Sequence, residues 1–350
     1  MKVAFYSYPS AFQNPGGGEI QLLKTKEHLE KAGVDVKFFD QWHDKFDDFD
    51  VLHVFGSVKD CVGLMRTARN KGVKVAISSI FWSSFKRALH EGGTSGKKLE
   101  LFARHLTKLI FPYLPTGRRK TMALSDIIFP NAEAEGEQLV RLFGISREKI
   151  KVVPNGIDER FMFAKPDPFI EKFGMKDFVL AVGRIEPRKN QLNLIKALND
   201  SGFKLVIVGD PVSDYMDYYK KCRSIAKQNI VFLGGIPHED ELLASGYAAC
   251  KVFAAPGWFE TPGLAALEAA AAGASIAITK YGCTEEYFGD EASYFDPSNI
   301  KQIREAVKEA SDVSEEKKKL LKERIRNNYL WENVARETLS GYESILKANK

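Results

Sequence analysis

Along the chain, apolar positions follow two alternating periods. Short β-rich runs at Val3–Ser7, Val34–Phe39, Val51–Phe55 and Val73–Ser78 read as strands. Between the first two, Gly18–Ala32 carries Ile20, Leu22, Leu23 and Leu29 at helical spacing and stops at Gly33. The alternation restarts at Phe178–Gly183 and runs through Lys204–Val208, Ile230–Phe232, Cys250–Ala255 and Ser275–Thr279. Strands alternating with helices predict βαβ units and parallel sheets. Residues 151–168 separate the two blocks and hold three prolines and an Asn-Gly, turn chemistry suited to a linker. A charged helix is expected over Ile300–Asn327, then an amphipathic one over Trp331–Leu346, for which a return to the first domain is one packing option. The expected organisation is α/β: an N-terminal domain over 1–157, joined by a C-terminal helix of 330–350, and a second domain over 158–329. Both domains are read as doubly wound parallel sheets, facing one another across a cleft.

A length of 350 residues fits two domains of roughly 100–200 residues each. No stretch of about 18 apolar residues offers a membrane-spanning helix. The N-terminus lacks the apolar stretch and small-residue cleavage site of a secretory leader. Cys61, Cys222, Cys250 and Cys283 are spaced neither as a CxxC site nor as a disulfide framework, so reduced thiols and a cytoplasmic protein are expected. The net charge of +5 is too mild to indicate a nucleic acid partner. Residues 86–120 differ: nine Lys or Arg stand against Glu91 and Glu100, interleaved with Leu99, Phe102, Leu106, Ile110, Phe111 and Tyr113. That composition suits a basic amphipathic helix at the cytoplasmic face of a membrane, or a core-packing helix with a basic outer face.

Three elements carry candidate chemistry. Pro15–Glu19, PGGGE, follows the first strand and opens a helix, where Gly17 and Gly18 would let backbone N–H groups approach a ligand. It is not the GxGxxG dinucleotide fingerprint. Val182–Gln191, VGRIEPRKNQ, ends a strand at Gly183 and places Arg184 and Lys189 at a spacing that suits a diphosphate, with Arg188 turned to solvent. Phe259–Gly273, FETPGLAALEAAAAG, puts Glu260 just ahead of a helix opened by Pro262 and Gly263, and Glu268 two turns along it. N–H groups near Gly263 and Leu264 form an anion site, and Glu268 suits ribose hydroxyls. Taken alone, the two glutamates also fit an exposed helix surface. Asp47–Asp50 contains a D-x-D, but it precedes a first-domain strand, and no metal is expected there. Glu91–Lys98 fails the P-loop pattern.

Together these segments resemble the family 4 retaining glycosyltransferases of the GT-B fold. PGGGE is similar to that family's glycine-rich loop. VVPNGIDERF (152–161) is similar to its linker, and VFLGGIPHEDEL (231–242) to the segment whose backbone holds the nucleotide base, at Gly234–Pro237. FETPGLAALE is similar to its E-x7-E motif. The resemblance implies transfer of a sugar, with retention, from a nucleotide diphosphate sugar. Arg184 and Lys189 would neutralise the departing diphosphate, Glu260 would hold the donor sugar and Glu268 the ribose. Backbone around Gly183, Gly235, Ile236, Thr261, Pro262, Gly263 and Leu264 would line the donor, and Gly17 would touch donor and acceptor. No cofactor would be required. The acceptor would be a glycan, a lipid-linked sugar or a small molecule. The sequence departs from the family where relatives carry a His near the end of the fourth strand, because Ser79 stands there; His53 ends the preceding strand. His53 is read either as structural or as a substrate contact, and Ser79, Trp82 or an acceptor-side residue as taking the place of the missing histidine. Asn190 stands where the family usually has Gly. A nucleotide-sugar binder without transferase activity and an epimerase on the same fold are the alternatives.

Overall fold

The computed structural model describes residues 1–8, 11–13, 16–56, 59–85 and 95–347. Pro15 of PGGGE, residues 86–94 of the basic interval and the first half of Glu91–Lys98 lie outside them. The chain divides into two compact units, one of Met1–Phe85, Leu99–Gly156 and Tyr329–Lys350, the other holding Ile157–Asn328.

The first unit is a five-stranded sheet of β1 (Lys2–Tyr6), β2 (Asp35–Phe38), β3 (Val51–Phe55), β4 (Lys74–Ser78) and β5 (Ile127–Phe129). Every pairing is parallel and the order is β2-β1-β3-β4-β5. Strand β3 is buried throughout, as its unbroken apolar run demands of a central strand covered on both faces. Three-residue β5 is absent from the expected strands, because a run that short has no readable period.

The helix Trp331–Lys347 packs on Gly17–Lys31 and on β5. At Gly341 a side chain would stand 2.5 Å from the Phe129 ring, so only glycine allows this approach. Tyr342 continues the helix into the core, where its hydroxyl meets His53 Nδ1 at 2.6 Å. His53 Nε2 meets Ser78 Oγ at 3.0 Å, and the ring packs between Phe5, Phe55 and Phe129. It is 1% exposed. Of the two readings of His53 the geometry favours the structural one over substrate contact: it locks the C-terminal helix to the centre of the sheet. Asp50, of the D-x-D run, accepts the Lys2 N–H, and Asp47 pairs with Lys71.

The second unit is a six-stranded parallel sheet of β6 (Val179–Val182), β7 (Leu205–Val208), β8 (Ile230–Gly234), β9 (Val252–Ala255), β10 (Ser275–Thr279) and β11 (Ser293–Phe295). Its order is β11-β10-β9-β6-β7-β8. Helices Gln191–Leu198 and Ile300–Ser311 bury Leu194, Ile195, Leu198, Ile303 and Val307 against it. The single charged helix expected over Ile300–Asn327 is two, Ile300–Ser311 and Glu315–Asn328. Ser314 explains the break: its hydroxyl caps the second helix by accepting the Lys317 N–H. The four cysteines are buried free thiols.

Burial holds the His53 imidazole well below its ordinary value, at about 3, so it stays neutral in the folded state. The unfolded chain binds that proton below about pH 6.5, so folding stability falls with pH from there toward pH 3, by about 1.4 kcal/mol per unit. His53→Gln keeps hydrogen-bonding capacity without titrating. Its acid-side denaturant midpoints are expected to fall less steeply than those of the wild type; parallel curves would refute this role.

Candidate functional site

In an open α/β sheet, loops leaving the carboxyl ends of adjacent strands diverge where strand order reverses, and the gap receives ligands. In the second unit the reversal lies between β6 and β9. The segment after β6 carries Gly183, Arg184 and Lys189, and the segment after β9 carries Glu260–Leu264.

Lys189 Nζ lies 2.7 Å from Glu260 Oε1, an ion pair across 71 residues of sequence. Glu260 is 5% exposed, which overturns the exposed-surface reading of this motif. Its main chain is fixed at both ends, the N–H donating to Tyr281 O and the carbonyl accepting from Cys283 N. Gly282 makes that bracket possible: at φ 110° it lies so close that a side chain would stand 1.9 Å from the Glu260 carbonyl. The peptide Thr261–Pro262 is cis, and Gly263 (φ 93°) sets the start of the helix Leu264–Ala271. A side chain on Gly263 would lie 3.4 Å from Glu260 Cβ, so ammonium, carboxylate and helix start form one cluster.

Asn190 fixes Lys189. It adopts the left-handed conformation (φ 54°), and its buried amide donates to the carbonyls of Pro256 and Pro297. Asparagine adopts this conformation more readily than most residues, and here it ties the Lys189 loop to two others. Burial lowers the Lys189 ammonium from the ordinary lysine value, against the opposing pull of Glu260. The Arg184 side chain is 39% exposed and reaches Glu186 at 3.4 Å. Arg188 is the more enclosed, at 26%: it also pairs with Glu186 and lies over the Phe259 ring. The expectation of a solvent-facing Arg188 is corrected, because Trp258 binds both the Pro187 and Arg188 carbonyls and draws that turn inward.

Glu268 is 4% exposed, about one turn into the same helix. Its Oε1 accepts from His238 Nε2 at 2.7 Å and its Oε2 from Tyr247 OH at 3.0 Å. His238 follows the Gly235, Ile236, Pro237 segment, where the Gly235 N–H donates to Asp210 Oδ1 at 2.8 Å. Neither Asp210 nor His238 is conspicuous in sequence, because their partners lie 25 and 30 residues away. Asp158, His238 and Glu239 bring ligand atoms within 4.8 Å of one another. Arg160 stands among them, 3.8 Å from Asp158 and 3.9 Å from Glu239, so a cation already balances the cluster.

In the first unit, Gly17 and Gly18 begin the helix after β1, on the side where order reverses between β1 and β3. Glu19 accepts the Gly16 N–H and the Tyr8 hydroxyl, pinning the glycine-rich turn. Ile80 adjoins Gly18 and takes φ 43°, unusual for a β-branched residue. Ser79 is fully buried, and its hydroxyl donates to Glu135 Oε1. Glu135 also accepts N–H groups from Phe81 and Asn131. Ser79 therefore anchors the loop after β4 rather than facing a substrate, a correction that required knowing where Glu135 lies.

Two family models match this chain, Glycosyltransferase Family 4 over residues 39–161 and Glycosyl transferases group 1 over residues 164–328. The D-inositol 3-phosphate glycosyltransferase of Stackebrandtia nassauensis is 30% identical over 185 residues, covering 47% of this chain and 41% of that protein. The N-acetylgalactosamine-N,N'-diacetylbacillosaminyl-diphospho-undecaprenol 4-alpha-N-acetylgalactosaminyltransferase of Campylobacter jejuni is 28% identical over 179 residues, covering 48% and 45%. The chain thus spans less than half the length of these two curated relatives. Anabaena HepE, solved in complex with UDP, shares the fold with a TM-score of 0.72 at 17% identity, over 98% of this chain and 100% of that one. The fold is GT-B, and the chain belongs to the group 1, family 4 glycosyltransferases.

A double-mutant cycle of Lys189→Met and Glu260→Gln, followed by chemical unfolding, is expected to give a coupling of about 1–3 kcal/mol. Each single change leaves one charge, the buried Glu260 carboxylate or the half-buried Lys189 ammonium, without its partner in the pair, and the second removes that charge. Additive effects would show that the pair is not formed.

Proposed function

We propose that the protein is a retaining hexosyltransferase that moves a sugar from a nucleotide diphosphate sugar to a hydroxyl acceptor. The observation that carries this reading is the Lys189–Glu260 pair, a buried carboxylate with a half-buried ammonium, beside the helix start at Leu264, at the strand-order reversal of the second unit. Cleavage of the donor leaves negative charge on the diphosphate and positive charge on the sugar. Lys189, held in place before the donor arrives, can exchange its carboxylate partner for a diphosphate oxygen. Arg184 adds a forked donor to the same anion. Glu260, released from Lys189, turns its carboxylate to the sugar hydroxyls. The departing phosphate oxygen takes the acceptor proton on the same face, so no protein nucleophile is required. Donor binding falls to the second unit and acceptor binding to the first, around Gly17. The UDP complex of Anabaena HepE supports a nucleoside diphosphate as the donor's leaving half.

A lipid-linked acceptor at an anionic membrane surface is the reading we favour for the first unit. The name of the Campylobacter relative includes a diphospho-undecaprenol carrier. On the helix Ser95–Ile110, Leu99, Phe102, Leu106 and Ile110 recur at helical spacing and are exposed, Leu99 by 69%. Phe111, Tyr113 and Leu114 extend this apolar strip. Not every cation of the interval faces outward: Lys108 and Arg118 lie over the Phe81 ring, and Arg119 donates to the Phe143 carbonyl. The apolar strip, more than the charge, therefore supports the membrane contact.

Incubation with UDP-, GDP- and ADP-sugars and a panel of glycan and polyprenyl-linked acceptors is expected to give a glycoside with the donor's anomeric configuration, read by NMR. Lys189→Ala and Glu260→Ala are each expected to lower kcat by about 100-fold or more. Donor binding without turnover would favour a silent binder, and an isomerised nucleotide sugar an epimerase. Cosedimentation with phosphatidylglycerol vesicles is expected to weaken several-fold in Leu106→Asp/Ile110→Asp and with added salt. Equal sedimentation of variant and wild type would refute the membrane contact.

A further inference from the structure

His238 has a carboxylate on each ring nitrogen, Glu268 at Nε2 (2.7 Å) and Glu239 at Nδ1 (3.1 Å). A neutral imidazole carries one N–H and can satisfy one of them; the imidazolium carries two and satisfies both. Its own carbonyl accepts from Arg160 Nη2, so the backbone at this turn is held independently of the ring. The ring sits edge-on to Phe161. Tyr247 takes the other Glu268 oxygen from the helix Glu241–Ala249, and that burial and the carboxylate keep its phenol protonated, well above the ordinary value.

The remaining charges facing His238 are Asp158 and Arg160 from the turn that follows Gly156, Glu239 from its own loop and Glu268 from the helix Leu264–Ala271. Three carboxylates thus stand against one guanidinium. A nucleotide diphosphate arriving nearby meets less repulsion when the ring is charged. The charged ring also braces Glu268 against the loop after β8, linking the segment read as the base site to the carboxylate read as the ribose site.

We propose that His238 is the positioning residue of the donor site, and that its imidazolium, by holding Glu268 toward the ribose, makes the protein bind nucleotide sugars more tightly than the neutral ring does. The proposal rests on the donor reading above and goes beyond it by giving a role to His238, a residue to which the resemblance assigned none. Burial disfavours the charged ring, but hydrogen bonds and charge from Glu268 and then Glu239 outweigh it, and the imidazole titrates above its ordinary value. The sign follows: donor affinity is full below the raised value and declines as pH rises through it.

The test uses the full chain with UDP-glucose, GDP-mannose and ADP-glucose as probes, bound at a series of pH values between about 6 and 9. For the probe that binds, Kd is expected to rise by about tenfold across this range in the wild type. His238→Gln, which can still donate to Glu268 but cannot titrate, is expected to give a flat profile near the wild type's alkaline value. It is expected to raise donor KM more than it lowers kcat. The penalty is expected to vanish for the 2′,3′-dideoxynucleoside analogue of the same probe, a result that general misfolding would not give. NMR titration of the His238 ring in wild type and Glu268→Gln reports the proton directly, with the value expected to drop in the variant. A flat wild-type profile, or an unaltered Kd in His238→Gln, overturns the proposal while the donor reading stands. If no probe binds the wild type, the donor reading fails and this proposal fails with it.

Discussion

Both sheets are parallel, and a parallel sheet wound to both faces must reverse its strand order somewhere. At that point the outgoing loops part, and backbone at the carboxyl ends of two neighbouring strands is left without a crossing chain. In the second unit the reversal falls between β6 and β9, and everything assigned to the donor follows from it. Lys189 arrives from one side and Glu260 from the other, from loops that belong to different βαβ halves. Neither loop alone contains a complete site, so the pairing exists only when the sheet is complete.

Burying that pair requires an arrangement of backbone as much as of charge. Glu260 sits in a segment whose N–H and carbonyl are both engaged, with Gly282 pressed against it. Asn190 does the corresponding work for Lys189, spending its amide on two proline carbonyls. The result is a cation and a carboxylate that lose little freedom when a ligand replaces one partner of the pair. Preorganisation of this kind is how fixed charges stabilise a developing anion without reorganising during the reaction. Glu268 shows the same principle one step deeper in the helix, with a phenol and an imidazole fixing its two oxygens.

The first unit is held by a different device. Its C-terminal helix is distant in sequence from the sheet it completes, and Tyr342 closes the gap by meeting His53, 289 residues earlier. The sequence reading puts His53 at a strand end, where a functional role is inviting, but it stands in the middle of β3. Here the aromatic cage and two hydrogen bonds account for it fully. Ser79 is similar, since Glu135 gathers its hydroxyl and two backbone N–H groups into one buried node.

The sequence by itself determined the fold class, most strands, and the segments that bear Arg184, Lys189, Glu260 and Glu268. Alternating periods and glycine or proline punctuation are local signals, written within a few neighbouring residues. It could not show the three-residue β5 and β11, the break at Ser314 within a continuous charged pattern, or the enclosure of Arg188 by Trp258. Nor could it separate structural from ligand-facing roles for His53 and Ser79, or find His238 and Asp210. Each of those depends on a partner at least 25 residues away, and only tertiary packing brings such partners within hydrogen-bonding range.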